Sequence, residues 1–83
     1  MDKDFQIMAE LSLYPLKREY DGPILELIAA LRTYPGIRVT PGETSTVIQG
    51  AYREIFRILE KECRVCLGGE YRSVLVMKLI NFE

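Results

Sequence analysis

The chain opens with a stretch in which apolar and polar residues alternate. In residues 5–14, FQIMAELSLY, the apolar positions recur with the period of a strand that buries one face. The sequence therefore predicts a first strand over these residues. Its apolar face consists of Phe5, Ile7, Ala9, Leu11 and Leu13, and its other face carries Gln6, Met8, Glu10, Ser12 and Tyr14.

Two later segments repeat apolar residues at the spacing of a helix. Asp21 and Pro23 are residue types favoured where a helix begins, and Pro35-Gly36 is a pair that ends one. In residues 51–66, charged residues flank a second apolar stripe. We predict two helices, whose stripes are formed by Ile24, Leu27, Ile28 and Leu31, and by Tyr52, Ile55, Phe56, Leu59 and Cys63.

Three further strands complete the pattern. Apolar and β-branched residues predict strands over about 37–40, 44–49 and 71–82, and Pro41-Gly42 predicts a turn between the first two. The order β-α-β-β-α-β predicts an α+β, ferredoxin-like sandwich, with a four-stranded antiparallel sheet and two helices on one face. The expected strand order across the sheet is 4-1-3-2. A chain of 83 residues fits a single domain of this kind, residues 1–83.

Two helices can cover only one face of such a sheet. The last strand is nevertheless apolar on both faces, with Leu75, Met77 and Leu79 on one and Val74, Val76 and Ile80 on the other. Uncovered apolar surface of this kind usually marks an interface, and an unpaired edge strand can pair between subunits. We therefore expect the open face to pack against another copy of the chain in a homodimer or tetramer.

Composition argues against several classes of function. The chain contains no histidine, which removes Ser/His and Cys/His catalytic pairs and the commonest metal ligand. The net charge is −1, with both signs interspersed, so no basic face for nucleic acid is expected. No apolar run reaches the ~18 residues of a membrane span, and the first ten residues lack the pattern of a signal peptide. We expect a cytoplasmic protein that is not an enzyme.

Cys63 and Cys66 form a CxxC pair near the end of the second predicted helix. Redox-active pairs gain thiolate stability from a helix N-terminus, and this pair sits at the opposite end. Structural zinc sites need four ligands, which two thiols without histidine do not provide. The pattern favours one buried core residue and one half-exposed neighbour over a redox or metal site.

The stretch TPGETSTVIQG, residues 40–50, is rich in hydroxyl groups. It lacks the Gly-Lys-Ser/Thr of a phosphate-binding loop. Two interpretations remain. It is either a turn followed by an ordinary β-branched strand, or a strand whose Thr44, Ser45 and Thr46 hydroxyls line a site beside the open sheet face. Periodicity alone does not decide whether Ser45 or its two neighbours face the helices.

Three segments together resemble the YkoF family of thiamin- and hydroxymethylpyrimidine-binding proteins: AELSLYPL at 9–16, STVIQG at 45–50, and the following Ile55-Phe56. The resemblance covers nearly the whole chain. It implies a ferredoxin-like fold, sheet-to-sheet packing, and binding of thiamin or its pyrimidine precursor without catalysis. Typical members hold two such domains in one chain, so this single domain either restores the pair as a homodimer or has lost the ligand site. The positions that the resemblance implies as ligand contacts are Ser12, Tyr14, Thr44, Ser45 and Thr46.

Two other residues join the expected binding site on chemical grounds. Glu10 either forms a salt bridge with Lys78 of the neighbouring strand or meets an aminopyrimidine or a cation, and both interpretations stand. Met77 is expected to flank the ligand ring opposite Tyr14. The expected function is therefore binding of thiamin or hydroxymethylpyrimidine by a homo-oligomer. The alternative is a structural or regulatory dimerisation domain with no thiamin-type ligand.

Overall fold

We analysed a computed structural model of the protein, which describes residues 5–17 and 21–81. The predicted order of elements is confirmed, with boundaries that shift by a few residues. Phe82, predicted to end the last strand, lies outside the described residues. The elements are β1 (Gln6–Pro15), α1 (Asp21–Leu31), β2 (Arg38–Pro41), β3 (Thr46–Ala51), α2 (Tyr52–Leu67) and β4 (Ser73–Asn81).

The four strands form one antiparallel sheet in the order β2-β3-β1-β4, as the sequence predicts. β1 is central, and it pairs with β3 on one side and β4 on the other. Its register aligns Glu10 with Val47 and with Lys78, so these three side chains lie on the same face of the sheet. The predicted α+β fold, with both helices on one face, is confirmed.

The core lies between the sheet and the two helices. Every second residue of β1 is buried, which is what the alternating pattern predicts. Each fully buried aliphatic side chain contributes about 1.5–3 kcal/mol relative to an exposed one. The buried residues are Ile7, Ala9, Leu11 and Leu13 of β1, Leu27 and Leu31 of α1, Ile48 of β3, and Ile55, Ile58 and Leu59 of α2.

Gly50 occupies a close contact inside β3. A β-carbon at this position would lie 2.8 Å from Cγ2 of Ile37, which packs against the core from the segment before β2. The sequence predicts a strand that ends near residue 49 and a helix from residue 51, but the strand continues through Ala51 and the helix begins at Tyr52. Glycine is therefore needed here for room between two packed segments.

The hairpin between β2 and β3 turns two residues later than predicted. Pro41 still pairs with Thr46, and the Gly42 N–H donates to the Ser45 carbonyl at 2.7 Å. The tip of the hairpin is therefore Glu43-Thr44, and Pro41-Gly42 belongs to the paired segment that leads into the tip from β2. A β-carbon on Gly42 would come within 3.1 Å of the Ser45 carbonyl oxygen, so glycine permits the tight closure.

The edge strand β4 leaves apolar side chains exposed on both of its faces. Val74, Val76 and Ile80 lie on the open face, and Met77 and Leu79 lie on the helix side, where neither helix fully covers them. Each of the five exposes at least 40% of its surface. This confirms the uncovered apolar surface that the sequence predicts at the last strand.

Candidate functional site

Antiparallel pairing brings the end of β1 next to the β2–β3 hairpin. Leu11 aligns with Thr46, so the residues that follow on β1 run alongside the hairpin tip. The Ser12 hydroxyl donates to the Thr44 carbonyl at 3.2 Å, which ties the strand to the loop. The segments SLYP and ETST, which are more than 25 residues apart in sequence, therefore meet at one end of the sheet.

Glu10 is the centre of a polar cluster on the open face. The Ser45 hydroxyl donates to its Oε2 at 2.7 Å, and Lys78 Nζ lies 3.7 Å from its Oε1. The structure thus answers the question of parity, because Ser45 faces away from the helices and towards Glu10. The salt bridge expected between Glu10 and Lys78 is present. Its long distance and the exposure of Lys78 make it a weak one.

The hydrogen bond from Ser45 and, after it, the positive charge of Lys78 lower the pKa of Glu10 from its ordinary value of 4.5. Because the folded-state pKa is the lower one, the stability from this carboxylate is complete above pH 4.5. It is lost as pH falls through the folded-state pKa. Ser45→Ala should therefore raise the pKa of Glu10. The difference in unfolding free energy between neutral and acid pH should then be smaller in the variant than in the wild type.

Titration of the Glu10 side-chain carboxyl carbon by NMR tests this prediction, together with urea midpoints at neutral and acid pH. Ser12→Ala is the matched control, since its hydroxyl bonds the Thr44 carbonyl and not Glu10. An unchanged Glu10 titration in Ser45→Ala would contradict the assigned hydrogen bond.

A cleft opens where β1, α1 and the hairpin tip meet. It has a volume of about 440 Å³, within the ~300–1,000 Å³ typical of small-molecule sites. Its walls are mostly apolar, with one phenol ring, one aliphatic hydroxyl and one carboxylate among them. The lining residues are Leu13, Tyr14, Pro15, Leu16, Ile24, Glu43 and Thr44. A smaller cavity of about 60 Å³ adjoins it through Leu13, Ile24, Glu43 and Thr44, and also touches Ser45 and Thr46.

Two of the expected site residues point away from the open face. Thr46 is buried among the residues that face the helices, because it falls in the same parity as Ile48. Met77 aligns with the buried Leu11, so it lies on the helix side, whereas Tyr14 lies on the open face. Tyr14 and Met77 of one chain therefore lie on opposite faces of the sheet and do not flank the same ring within that chain. The residue that aligns with Tyr14 on β4 is Val74.

The structure divides the other five predicted residues into two neighbouring groups. Tyr14 and Thr44 line the cleft, and Ser12 braces Thr44 from β1. Glu10 and Ser45 form the polar cluster beside it, and only Ser45 reaches the adjoining cavity. Sequence reasoning missed Glu43, and also Leu16 and Ile24. Glu43 would have been predicted as a site residue if the turn had been placed at Glu43-Thr44 and not at Pro41-Gly42.

The cysteines behave as core-packing residues. Both are half-buried against the core, and the Cys66 thiol donates to the Cys63 carbonyl at 3.7 Å. Burial raises the pKa of both thiols, which makes them poor nucleophiles. Within residues 5–17 and 21–81, no cluster of three acidic or thiol side chains could hold a metal ion. No helix in this part of the chain is long and apolar enough to cross a membrane.

Comparison with known proteins shows relatives in fold. No family model and no curated protein matches the sequence. Among solved structures, a Streptococcus pneumoniae protein superposes with a TM-score of 0.83 at 24% identity, covering 94% of this chain and 88% of that one. A hypothetical protein of Methanocaldococcus jannascii gives 0.79 at 21% identity, over 94% of this chain and 81% of that one.

A third neighbour carries a functional description. It is a Thermotoga maritima protein provisionally assigned to thiamine biosynthesis or salvage, with a TM-score of 0.80 at 16% identity, covering 94% of this chain and 84% of that one. At these identities the likeness establishes the fold of the chain alone.

Proposed function

We propose that this protein binds thiamin or its hydroxymethylpyrimidine moiety in the cleft at the end of β1, without catalysing a reaction. The observation that carries the proposal is the meeting of two segments. SLYP belongs to the resemblance with the YkoF family, which also implies Thr44, Ser45 and Thr46 as ligand contacts, and the fold brings SLYP and the hairpin tip together at one cleft of ligand size. The thiamine-related assignment of the Thermotoga maritima fold neighbour supports the same class of ligand.

The chemistry of the cleft suits a flat heteroaromatic ring. Tyr14 offers a half-exposed aromatic face for stacking, and the aliphatic walls offer apolar contact. The Thr44 hydroxyl can donate to or accept from a ring nitrogen or an amino group. Ser12 holds the Thr44 backbone by the hydrogen bond at its carbonyl, so the hairpin wall is positioned before the ligand arrives.

Calorimetric titration with thiamin, and separately with free hydroxymethylpyrimidine, tests the proposal. We expect binding by the wild-type protein, a loss of roughly tenfold or more in affinity for Tyr14→Ala, and retention in Tyr14→Phe, which keeps the stacking face. Absence of binding heat with both ligands at high micromolar concentration would reject this function. Equal affinities of wild type and Tyr14→Ala would reject the site.

We also propose that the protein works as a homodimer or larger homo-oligomer. The exposed apolar side chains of β4 and the unpaired edge of that strand favour association of like chains. The same surface favours a second candidate function, a structural or regulatory dimerisation domain without a thiamin-type ligand. A wild-type protein that self-associates but binds neither thiamin nor the pyrimidine would select this second function.

A further inference from the structure

We propose that the cleft prefers a positively charged aromatic ring to a neutral ring of the same shape, and that Glu43 is the residue that makes the distinction. The inference rests on the proposed function and narrows its ligand class. Of the seven lining residues, Glu43 alone carries a formal charge at neutral pH.

Glu43 is exposed at the hairpin tip, where its carboxylate is free to approach a ligand. Among the described residues it has no salt-bridge or hydrogen-bond partner that would neutralise it. The tip itself is fixed, because the Gly42 N–H bonds the Ser45 carbonyl and the Ser12 hydroxyl bonds the Thr44 carbonyl. A negative charge is therefore held at the wall of a mostly apolar cleft.

Two lysines of the described residues, one beside the cleft in sequence and one on the open face, have other partners. Lys17 follows the cleft residue Leu16 directly, but its Nζ lies 4.6 Å from the centre of the Tyr71 ring. Tyr71 lines a different cavity, between the two helices, so this cation–π contact draws Lys17 away from Tyr14. Lys78 is paired with Glu10 on the open face.

Tyr14 adds a second feature that favours a cation. The face of a tyrosine ring carries negative electrostatic potential and attracts a cation placed over it. A ring that stacks on Tyr14 and bears a positive charge would meet both the aromatic face and the Glu43 carboxylate. The thiazolium ring of thiamin has this character, whereas free hydroxymethylpyrimidine is neutral at pH 7. We therefore expect charge on the ligand, and not ring shape alone, to set the affinity.

The test compares thiamin with an analogue in which a neutral thiophene replaces the thiazolium ring. We expect the wild-type protein to bind thiamin roughly tenfold more tightly, and Glu43→Gln to lower the ratio of the two affinities by about threefold or more, with the remaining preference coming from the Tyr14 face. The affinity of the neutral analogue should not change in Glu43→Gln. Glu70→Gln, at another exposed acidic position, is the control and should leave the ratio as in wild type.

The outcomes separate this inference from the proposed function. Binding of both compounds with equal affinity would overturn the preference for charge and leave the function standing. A thiamin preference in Glu43→Gln that is as large as in wild type would overturn the role of Glu43. If neither compound binds the wild-type protein, this inference fails, and the proposed function fails with it only where free hydroxymethylpyrimidine does not bind either. Because Glu43 is an exposed loop residue, matching thermal melts of wild type and variant establish that the fold is unchanged.

Discussion

Replacing Val76 with aspartate is expected to leave the protein as single chains in solution. Val76 lies near the middle of β4 on the open face, aligned with Ser12, and 46% of its surface is exposed in the single chain. In a complex that covers this face, the substitution would bury an unpaired carboxylate, which is strongly destabilising. A dimer would carry two such charges. We expect the dissociation constant to rise by roughly 100-fold or more.

Light scattering during size-exclusion chromatography measures the effect over a range of concentrations. Val65→Asp is the matched control, since Val65 is a 67% exposed valine of α2 on the other side of the molecule from the open face. It should elute like the wild type. A wild-type protein that is monomeric at high concentration, or a Val76→Asp variant that associates as well as the wild type, would contradict the interface.

The sequence predicts the fold well because the fold depends on patterns that are local and repeated. The alternation in β1 identifies its buried face, and every second residue from Ile7 to Leu13 is buried as expected. The stripe that contains Leu27 and Leu31 is likewise the buried side of α1. Such patterns tolerate errors of one or two residues at the ends of elements, so the strand order follows even though most boundaries shift.

The site is less predictable because it depends on parity and on the position of a turn. A displacement of two residues in the hairpin hides Glu43, which becomes part of the cleft only when the tip is Glu43-Thr44. Parity separates Ser45 from Thr46, although both are small hydroxyl residues in one run. Met77 likewise lies on the opposite face of the sheet from Tyr14, because the register of β1 and β4 aligns Met77 with Leu11.

The site also lies at the rim of the sheet, where the core is thin. Two residues that line the cleft also pack in the core, namely Leu13 of the buried face of β1 and Ile24 of the partly buried side of α1. Its inner wall is therefore part of the core, and its outer wall is the hairpin. A loss of packing at the centre of the core should weaken the whole domain. An 83-residue domain has a stability of only about 4–12 kcal/mol to lose.

Leu31→Ala is the change expected to lower the free energy of unfolding most. Leu31 ends α1 with 0% of its surface exposed, and it is among the largest fully buried side chains of the described residues. Truncation removes apolar contact and leaves a cavity, because the sheet and α2 can close over it only in part. Such changes cost about 2–5 kcal/mol. The midpoint of thermal unfolding should fall by more than about 10 °C in a domain of this size.

Leu25→Ala is the matched control for this substitution. Leu25 belongs to the same helix, but 63% of its surface is exposed. Its truncation should therefore change the free energy of unfolding by less than about 0.5 kcal/mol. Urea unfolding followed by circular dichroism compares the two variants at equal protein concentration, because association would shift both midpoints. Similar losses in the two variants would show that α1 does not pack through the stripe that contains Leu27 and Leu31. A loss confined to Leu31→Ala would establish that face of α1 as the support beneath β1 and hence beneath the inner wall of the cleft.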